Sequence, residues 1–194
     1  MATPSTVAFF IQGSVSLAEV WFIGQLGAIS LAAIALAFPL LMLTQTLSGG
    51  AMGGAVAASI ARALGAGDVG RARRLVWHAL CLAVAGATTL LLLFLLGGQA
   101  FLQFLGGAGD VLAKSHGYAI VLLVGGVFLW LTGVTTAIYR GMGEMRFPAV
   151  MMILNAMIQI PLSGCLVLGW GGMPQLGVIG AAVSAVIAAA VVCL

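Results

Sequence analysis

Charged side chains interrupt this chain at a few points, and long apolar runs lie between them. No Asp, Glu, Lys or Arg occurs in 20–61, 75–109, 115–139 or 147–194. A helix needs about 20 apolar residues to cross the hydrocarbon of a bilayer, so each run is long enough to span. The first and last are long enough for more than one crossing. Gly24-Gln25-Leu26-Gly27 is a break in the first run, and Gly169-Trp170-Gly171-Gly172-Met173-Pro174 is a break in the last, both rich in helix-interrupting residues. The pattern predicts six helices, over 5–24, 30–52, 78–101, 117–139, 147–168 and 176–194. They must be helices because in lipid each backbone polar group needs a partner within its own segment. A β-barrel would instead show strands of about ten residues with alternating polarity. The expected fold is all-α: a polytopic membrane bundle forming a single lobe over 1–194. Residues 53–77 read as a basic connection with a helical extension after Gly54, and 140–146 as a second, tight basic loop.

Composition sharpens the picture. Of 194 residues, 63% are hydrophobic and 6% are charged, against about 25% charged in an ordinary soluble domain. Too few charges are present to cover a water-facing surface, which excludes a soluble enzyme, a nucleic-acid-binding domain and a disordered segment. The partner this composition implies is the lipid bilayer, not nucleic acid. Cys81, Cys165 and Cys193 are far apart in apolar sequence. They form no CxxC and no metal-ligand spacing, and are expected as buried thiols that act as small hydrophobes. No cofactor, metal site or catalytic constellation is expected. Ser48 has no preceding nucleophile motif, and His78 and His116 fall near span ends.

Charge also sets an orientation. Arg62, Arg71, Arg73 and Arg74 fall in the first connection, Arg140 and Arg146 in the second. Both connections follow an even-numbered helix and lie on the same side. The positive-inside rule makes that side cytoplasmic, along with the N-terminus, and puts Asp110 and Lys114 outside. Arg71, Arg73 and Arg74 read as solvated loop charges that orient the protein.

Glu19 is the only charged residue inside a predicted span. Such a group is expensive in lipid and faces a bundle interior or a water-filled cavity. Gln12, Ser16 and Glu19 share one helix face. Thr132, Thr135, Thr136 and Tyr139 share another, as do Asn155, Gln159 and Ser163, and Thr44, Gln45 and Ser48; the sixth helix offers Ser184. Such groups can glue helices together at about 0.6 kcal/mol per hydrogen bond, or line an aqueous path. Several stripes with one carboxylate point to a polar cavity. A carboxylate there can exchange a proton, or ligate Na⁺ with amide and hydroxyl oxygens; a structural hydrogen bond to a neighbouring helix is the plainer alternative. Gly49/Gly53 and Gly50/Gly54 form overlapping GxxxG pairs that permit close helix approach. Pro39 and Pro161 are expected to kink their helices, and kinked, glycine-rich helices suit alternating access.

The segment Ala18-Glu19-Val20-Trp21-Phe22-Ile23-Gly24-Gln25-Leu26-Gly27, followed by Leu31-Ala32-Ala33, resembles the first-helix signature of multidrug and toxic compound extrusion (MATE) transporters. Ile60-Ala61-Arg62-Ala63-Leu64-Gly65-Ala66-Gly67-Asp68 is similar to their second cytoplasmic-end motif. Tyr139-Arg140-Gly141-Met142-Gly143-Glu144-Met145-Arg146-Phe147-Pro148 with Asn155 resembles the turn between helices four and five, and Leu176-Gly177-Val178-Ile179-Gly180-Ala181-Ala182-Val183-Ser184 the start of helix six. The resemblance implies a multi-pass protein of the bacterial inner membrane that exports drugs or organic cations in exchange for H⁺ or Na⁺. It implies ion coupling by Glu19, Asn155, Gln159 and Ser184, with Gln12, Ser16, Gln45, Thr132, Thr136 and Tyr139 lining the cavity. Where some relatives carry Asp, this chain carries Gln159, which favours H⁺ over Na⁺. The family has twelve helices in two lobes, so the resemblance implies one lobe or a truncated product that needs a second lobe or another copy. A lipid or polysaccharide flippase of the wider superfamily, or a non-transporting membrane subunit, remain the alternatives; flippases carry more cavity cations, and no Lys or Arg falls in a predicted span.

Overall fold

The computed structural model describes residues 3–170 and 175–193, with the side chains of 3–9 and of Gln12 outside the described set. The apolar runs form α1 (Thr3–Gly24), α2 (Ala28–Gln45), a π-helical stretch (Thr46–Met52), α3 (Gly53–Gly65), α4 (Val69–Phe104), α5 (Gly109–Val124), α6 (Gly126–Gly141), α7 (Arg146–Leu168) and α8 (Val178–Cys193). From α2 to α3 the helix runs without a break over Ala28–Gly65. This helix, α4 and α7 are each long and apolar enough to cross a membrane, and α5 with α6 makes a fourth candidate span, bent by 53°. With the shorter apolar helices Gly13–Gly24 and Val178–Cys193, they form an all-α membrane bundle.

Several predicted boundaries shift, each for a local reason. The basic connection expected over 53–77 is mostly helix: the extension after Gly54 continues to Gly65, and α4 begins at Val69. What remains is a turn in which Gly67 adopts φ +74°, a conformation glycine takes without steric cost. Asp68 then caps α4, its Oδ1 accepting from the Arg71 backbone N–H at 2.8 Å. Arg71, Arg73 and Arg74 are therefore exposed residues of a helix, not of a loop. At 36 residues, α4 is about 54 Å long, well beyond the roughly 30 Å of hydrocarbon, so its arginine-bearing first turns project past the apolar layer.

The single helix expected over 117–139 is two helices that begin earlier, at Gly109, and meet at Gly125. A Cβ on Gly125 would fall 2.8 Å from Cβ of Val186 on α8, so the bend lets α8 approach there. The tight loop expected over 140–146 shrinks as well. Arg140 and Gly141 finish α6, and Arg146 starts α7, with its backbone N–H donating to Glu144 Oε1 at 3.0 Å. The thiols are a further correction: Cys81 is exposed and Cys165 and Cys193 are half-buried. A face turned to lipid accepts an apolar thiol without burying it in protein.

Three apolar clusters hold the bundle. One joins α1, α2, α5, α7 and α8 through Phe22, Ile23, Ala37, Tyr118, Leu122, Val167 and Ala182. A second joins α3, α4 and α6, with Ile60 and Trp130 against Ala79, Ala83 and Ala87. The third joins α2, α4 and α5 through Leu40, Phe94, Leu102 and Leu123. The buried face of α4 reads Ala72, Ala79, Ala83, Ala87, Phe94, Gly98 and Leu102; its alanines and glycine, small residues at helical spacing, allow close packing without a hydrophobic force between helices in lipid. Of the predicted GxxxG residues, Gly53 packs across helices, 3.4 Å from Ala137 by its would-be Cβ, whereas Gly49 and Gly54 meet nothing within 4 Å. Both prolines lie inside helices, Pro39 in α2 and Pro161 in α7.

Candidate functional site

Helix phase brings the polar stripes to one place. On α1, Val15 and Ile23 flank Glu19 at one-turn intervals and are 2% and 1% exposed. Residues spaced by four share a helix face, so their packing turns Glu19 inward. On α7 the buried face carries Ala156, Gln159, Ser163 and Val167, which sets Gln159 towards α1. The two stripes meet across 140 residues of sequence: Gln159 Nε2 donates to Glu19 Oε1 at 2.7 Å. One turn away, Asn155 Nδ2 donates to Gln159 Oε1 at 2.8 Å. The result is a directional relay, Asn155 to Gln159 to Glu19, in which the Gln159 amide is engaged at both ends and aims an N–H at the carboxylate.

This relay forms one wall of a cavity of about 440 Å³. The polar lining is Ser16 and Glu19 from α1, and Thr44, Gln45 and Ser48 from α2 and the π-helical stretch. Tyr118 of α5, Thr132, Thr136 and Arg140 of α6, and Asn155 and Gln159 of α7 complete it. Phe38, Leu41, Leu122, Leu129, Met151 and Met152 supply apolar surface between them. A small number of polar groups on an apolar wall is the usual make-up of a small-molecule site. The π-helical geometry sits at this wall, at Ser48 and Gly49; such stretches occur often at functional sites.

Of the sequence-predicted residues, Glu19, Asn155 and Gln159 meet at the relay, and Ser16, Gln45, Thr132 and Thr136 line the same cavity. Gln12 lies outside the described side chains. Ser184 is not brought to this group. It is fully buried in α8 with its hydroxyl donating to the Ala181 carbonyl at 2.8 Å, and Ala185 and Ala189 face the cavity instead. Tyr139 does not line the cavity; its ring stacks on Phe147 with centroids 3.9 Å apart.

Arg140 is the residue the sequence reading missed. The expectation that no Lys or Arg lies in a span fails here. α6 runs two residues further than predicted, and Arg140 both belongs to it and lines the cavity. The signal was present in the sequence: Thr132, Thr136 and Arg140 are spaced by four and form one face. The absence of a cavity cation therefore no longer separates the transporter reading from the flippase reading.

Comparison with known proteins follows from this geometry. The MatE family model matches residues 4–164. The chain is 30% identical over 184 residues to a FAD transporter of Shewanella oneidensis, covering 95% of this chain and 40% of that protein. It is 27% identical over 188 residues to the probable multidrug resistance protein NorM of Thermotoga maritima, covering 96% and 40%. A solved structure described as the outward-facing conformation of a multidrug resistance MATE family transporter superposes with a TM-score of 0.92 at 27% identity, over 100% of this chain and 42% of that one. One described as inward-facing superposes with a TM-score of 0.86 at 28% identity, over 97% and 43%. The chain thus spans about 40% of the length of the curated relatives it matches. Its relatives are transporters, its helices are those of a multi-pass membrane protein, and the chain belongs to the MatE family.

Proposed function

We propose that this lobe takes drugs or organic cations into its cavity and contributes to their export in exchange for an ion, with Glu19 as the coupling carboxylate. The observation that carries the reading is the Gln159–Glu19 hydrogen bond, 2.7 Å long and joining α1 to α7 inside the cavity. A carboxylate held there can lose or gain a proton or its hydrogen-bond partner as the cavity changes access. The Gln159 amide presents an N–H to the carboxylate, where a Na⁺ site would need a further oxygen, so H⁺ is the coupling ion in this reading and Na⁺ the alternative. No other cofactor enters it. The similarity of the lobe to both outward-facing and inward-facing relatives supports rocking of a rigid lobe against a second lobe or another copy. The setting is a bacterial inner membrane, with the N-terminus and the arginine-rich end of the bundle in the cytoplasm. Arg140 keeps a lipid or polysaccharide flippase as the second reading.

Glu19→Gln tests the coupling role, because it keeps shape and hydrogen bonding and removes the charge. In the complete transporter, gradient-driven efflux of a fluorescent cation is lost in Glu19→Gln at equal membrane abundance, and Glu19→Asp retains much of it. Efflux by Glu19→Gln with an unchanged pH profile would assign Glu19 a structural role and place the coupling outside this chain.

A further inference from the structure

The cavity lining carries a second charged group besides Glu19, Arg140, which is exposed and has no counter-charge among the described residues. Arg140 Nη2 donates to Thr136 Oγ1 at 3.3 Å, and the Thr136 hydroxyl donates in turn to the Gly133 carbonyl at 2.7 Å. Because Thr136 is buried and its proton is committed to the backbone, its free lone pair is what receives the guanidinium. This holds Arg140 along the cavity face of α6. A guanidinium carries five N–H donors, and this contact uses one. Among the described residues Arg140 is in no ion pair. The nearest carboxylate in sequence, Glu144, is engaged with the start of α7 through the Arg146 backbone N–H. Among the described residues Glu19 is the only carboxylate in the cavity lining, and it lies at another level. Its partner Gln159 sits more than three turns along α7 from Arg146, roughly 20 Å by the rise of an α-helix, whereas Arg140 ends α6 just before the turn that leads to Arg146. Between the two charged groups, Met151 and Met152 line the cavity, and thioether side chains adapt to flat apolar ligands.

We propose that Arg140 is a specificity residue that receives an anionic group of the substrate, a carboxylate or a phosphate, at the arginine-rich end of the cavity. The substrate is then an elongated apolar molecule with an anionic group at one end, and a cationic group, where it has one, directed to Glu19. A planar fork of N–H donors suits a carboxylate or phosphate by paired hydrogen bonds. The plain alternative is that Arg140 does no more than complement the C-terminal end of the α6 dipole, and that role predicts no dependence on the ligand's charge.

The proposal rests on the cavity being the substrate site, and its test uses binding at equilibrium without any ion gradient, so its failure is distinct from failure of coupling by Glu19. The probes are a cationic xanthene dye ester, its free acid, which adds one carboxylate, and the phosphate monoester of the same dye. Each is titrated against the protein in lipid nanodiscs by fluorescence anisotropy. The free acid or the phosphate binds more tightly than the ester. Arg140→Gln weakens the anionic dye at least about tenfold and leaves the ester within twofold, and Arg140→Lys recovers part of the loss. Which anionic dye gains more distinguishes carboxylate from phosphate. Equal affinity for all three dyes in the unsubstituted protein, or equal losses for ester and acid in Arg140→Gln, would overturn the proposal.

Discussion

Glu19 shows what a single polar side chain costs and does in this bundle. It needs a partner from another helix, and Gln159 supplies one while accepting from Asn155. Four residues further on the same face of α7, Ser163 is fully buried and its hydroxyl has no hydrogen-bond partner among the described residues. These two positions make opposite predictions. Gln159→Leu strips Glu19 of a donor and Asn155 of an acceptor, and should cost about 1–2 kcal/mol at the membrane-protein scale of hydrogen bonds. Ser163→Ala removes an unsatisfied group and should be neutral or stabilising. Thermal melting in detergent reads both, and a Gln159→Leu melting point equal to that of Ser163→Ala would show that the relay carries no stability. The sequence placed Glu19, Asn155 and Gln159 on their faces through spacing alone. That spacing could not tell which face of α1 meets which face of α7.

Between elements, the contacts that matter are backbone approaches, and glycine allows them. Gly141 at the end of α6 is buried against α3, and a Cβ there would lie 2.7 Å from the Ala57 carbonyl oxygen and 3.0 Å from its Cα. Backbone cannot swing aside as a side chain can. Gly141→Ala is therefore expected to push α3 and α6 apart and to destabilise by about 1–3 kcal/mol. Gly54→Ala, in α3 but with open space around it, should be neutral or should stabilise by up to about 1 kcal/mol through helix propensity. Melting of the two variants side by side checks the contrast, and equal shifts would mean that the α3–α6 approach is not tight. The GxxxG pattern of 49–54 singled out four glycines, of which Gly53 makes the close contact. A motif of small residues marks where helices can approach, and the partner helix selects which residue is used.

At the scale of the molecule, the arginines gather at one end of the bundle, because α3 ends, α4 starts, α6 ends and α7 starts there. Exposed aromatics mark two levels: Trp77 near the arginines, and Trp21 and Trp170 at the other end of the apolar helices. Trp favours membrane–water interfaces, which suits helices that cross between the two levels. The positive-inside rule then predicts that the arginine-rich end is cytoplasmic. With Cys81, Cys165 and Cys193 replaced by Ala, single cysteines at Arg73 and Met142 should stay unlabelled by a membrane-impermeant thiol reagent on intact cells, and one at Ala113 should react. Labelling at Arg73 with none at Ala113 would reverse the orientation.

The amino-acid sequence by itself determined the membrane setting, the helical class, the arginine-rich end and the stripe that each helix offers, because each of these is a local or compositional consequence of placing a chain in lipid. The tertiary structure decided what faced what. Packing of Val15 and Ile23 aimed Glu19 at Gln159, and the continuation of α6 past 139 set Arg140 on the cavity wall. Tyr139 was diverted to Phe147, and the Ser184 hydroxyl was closed onto its own helix. These are outcomes of helix rotation and of where a helix stops. In a bilayer both are set by contacts between helices, since lipid makes little distinction among apolar faces and a sequence pattern alone cannot rank the partners.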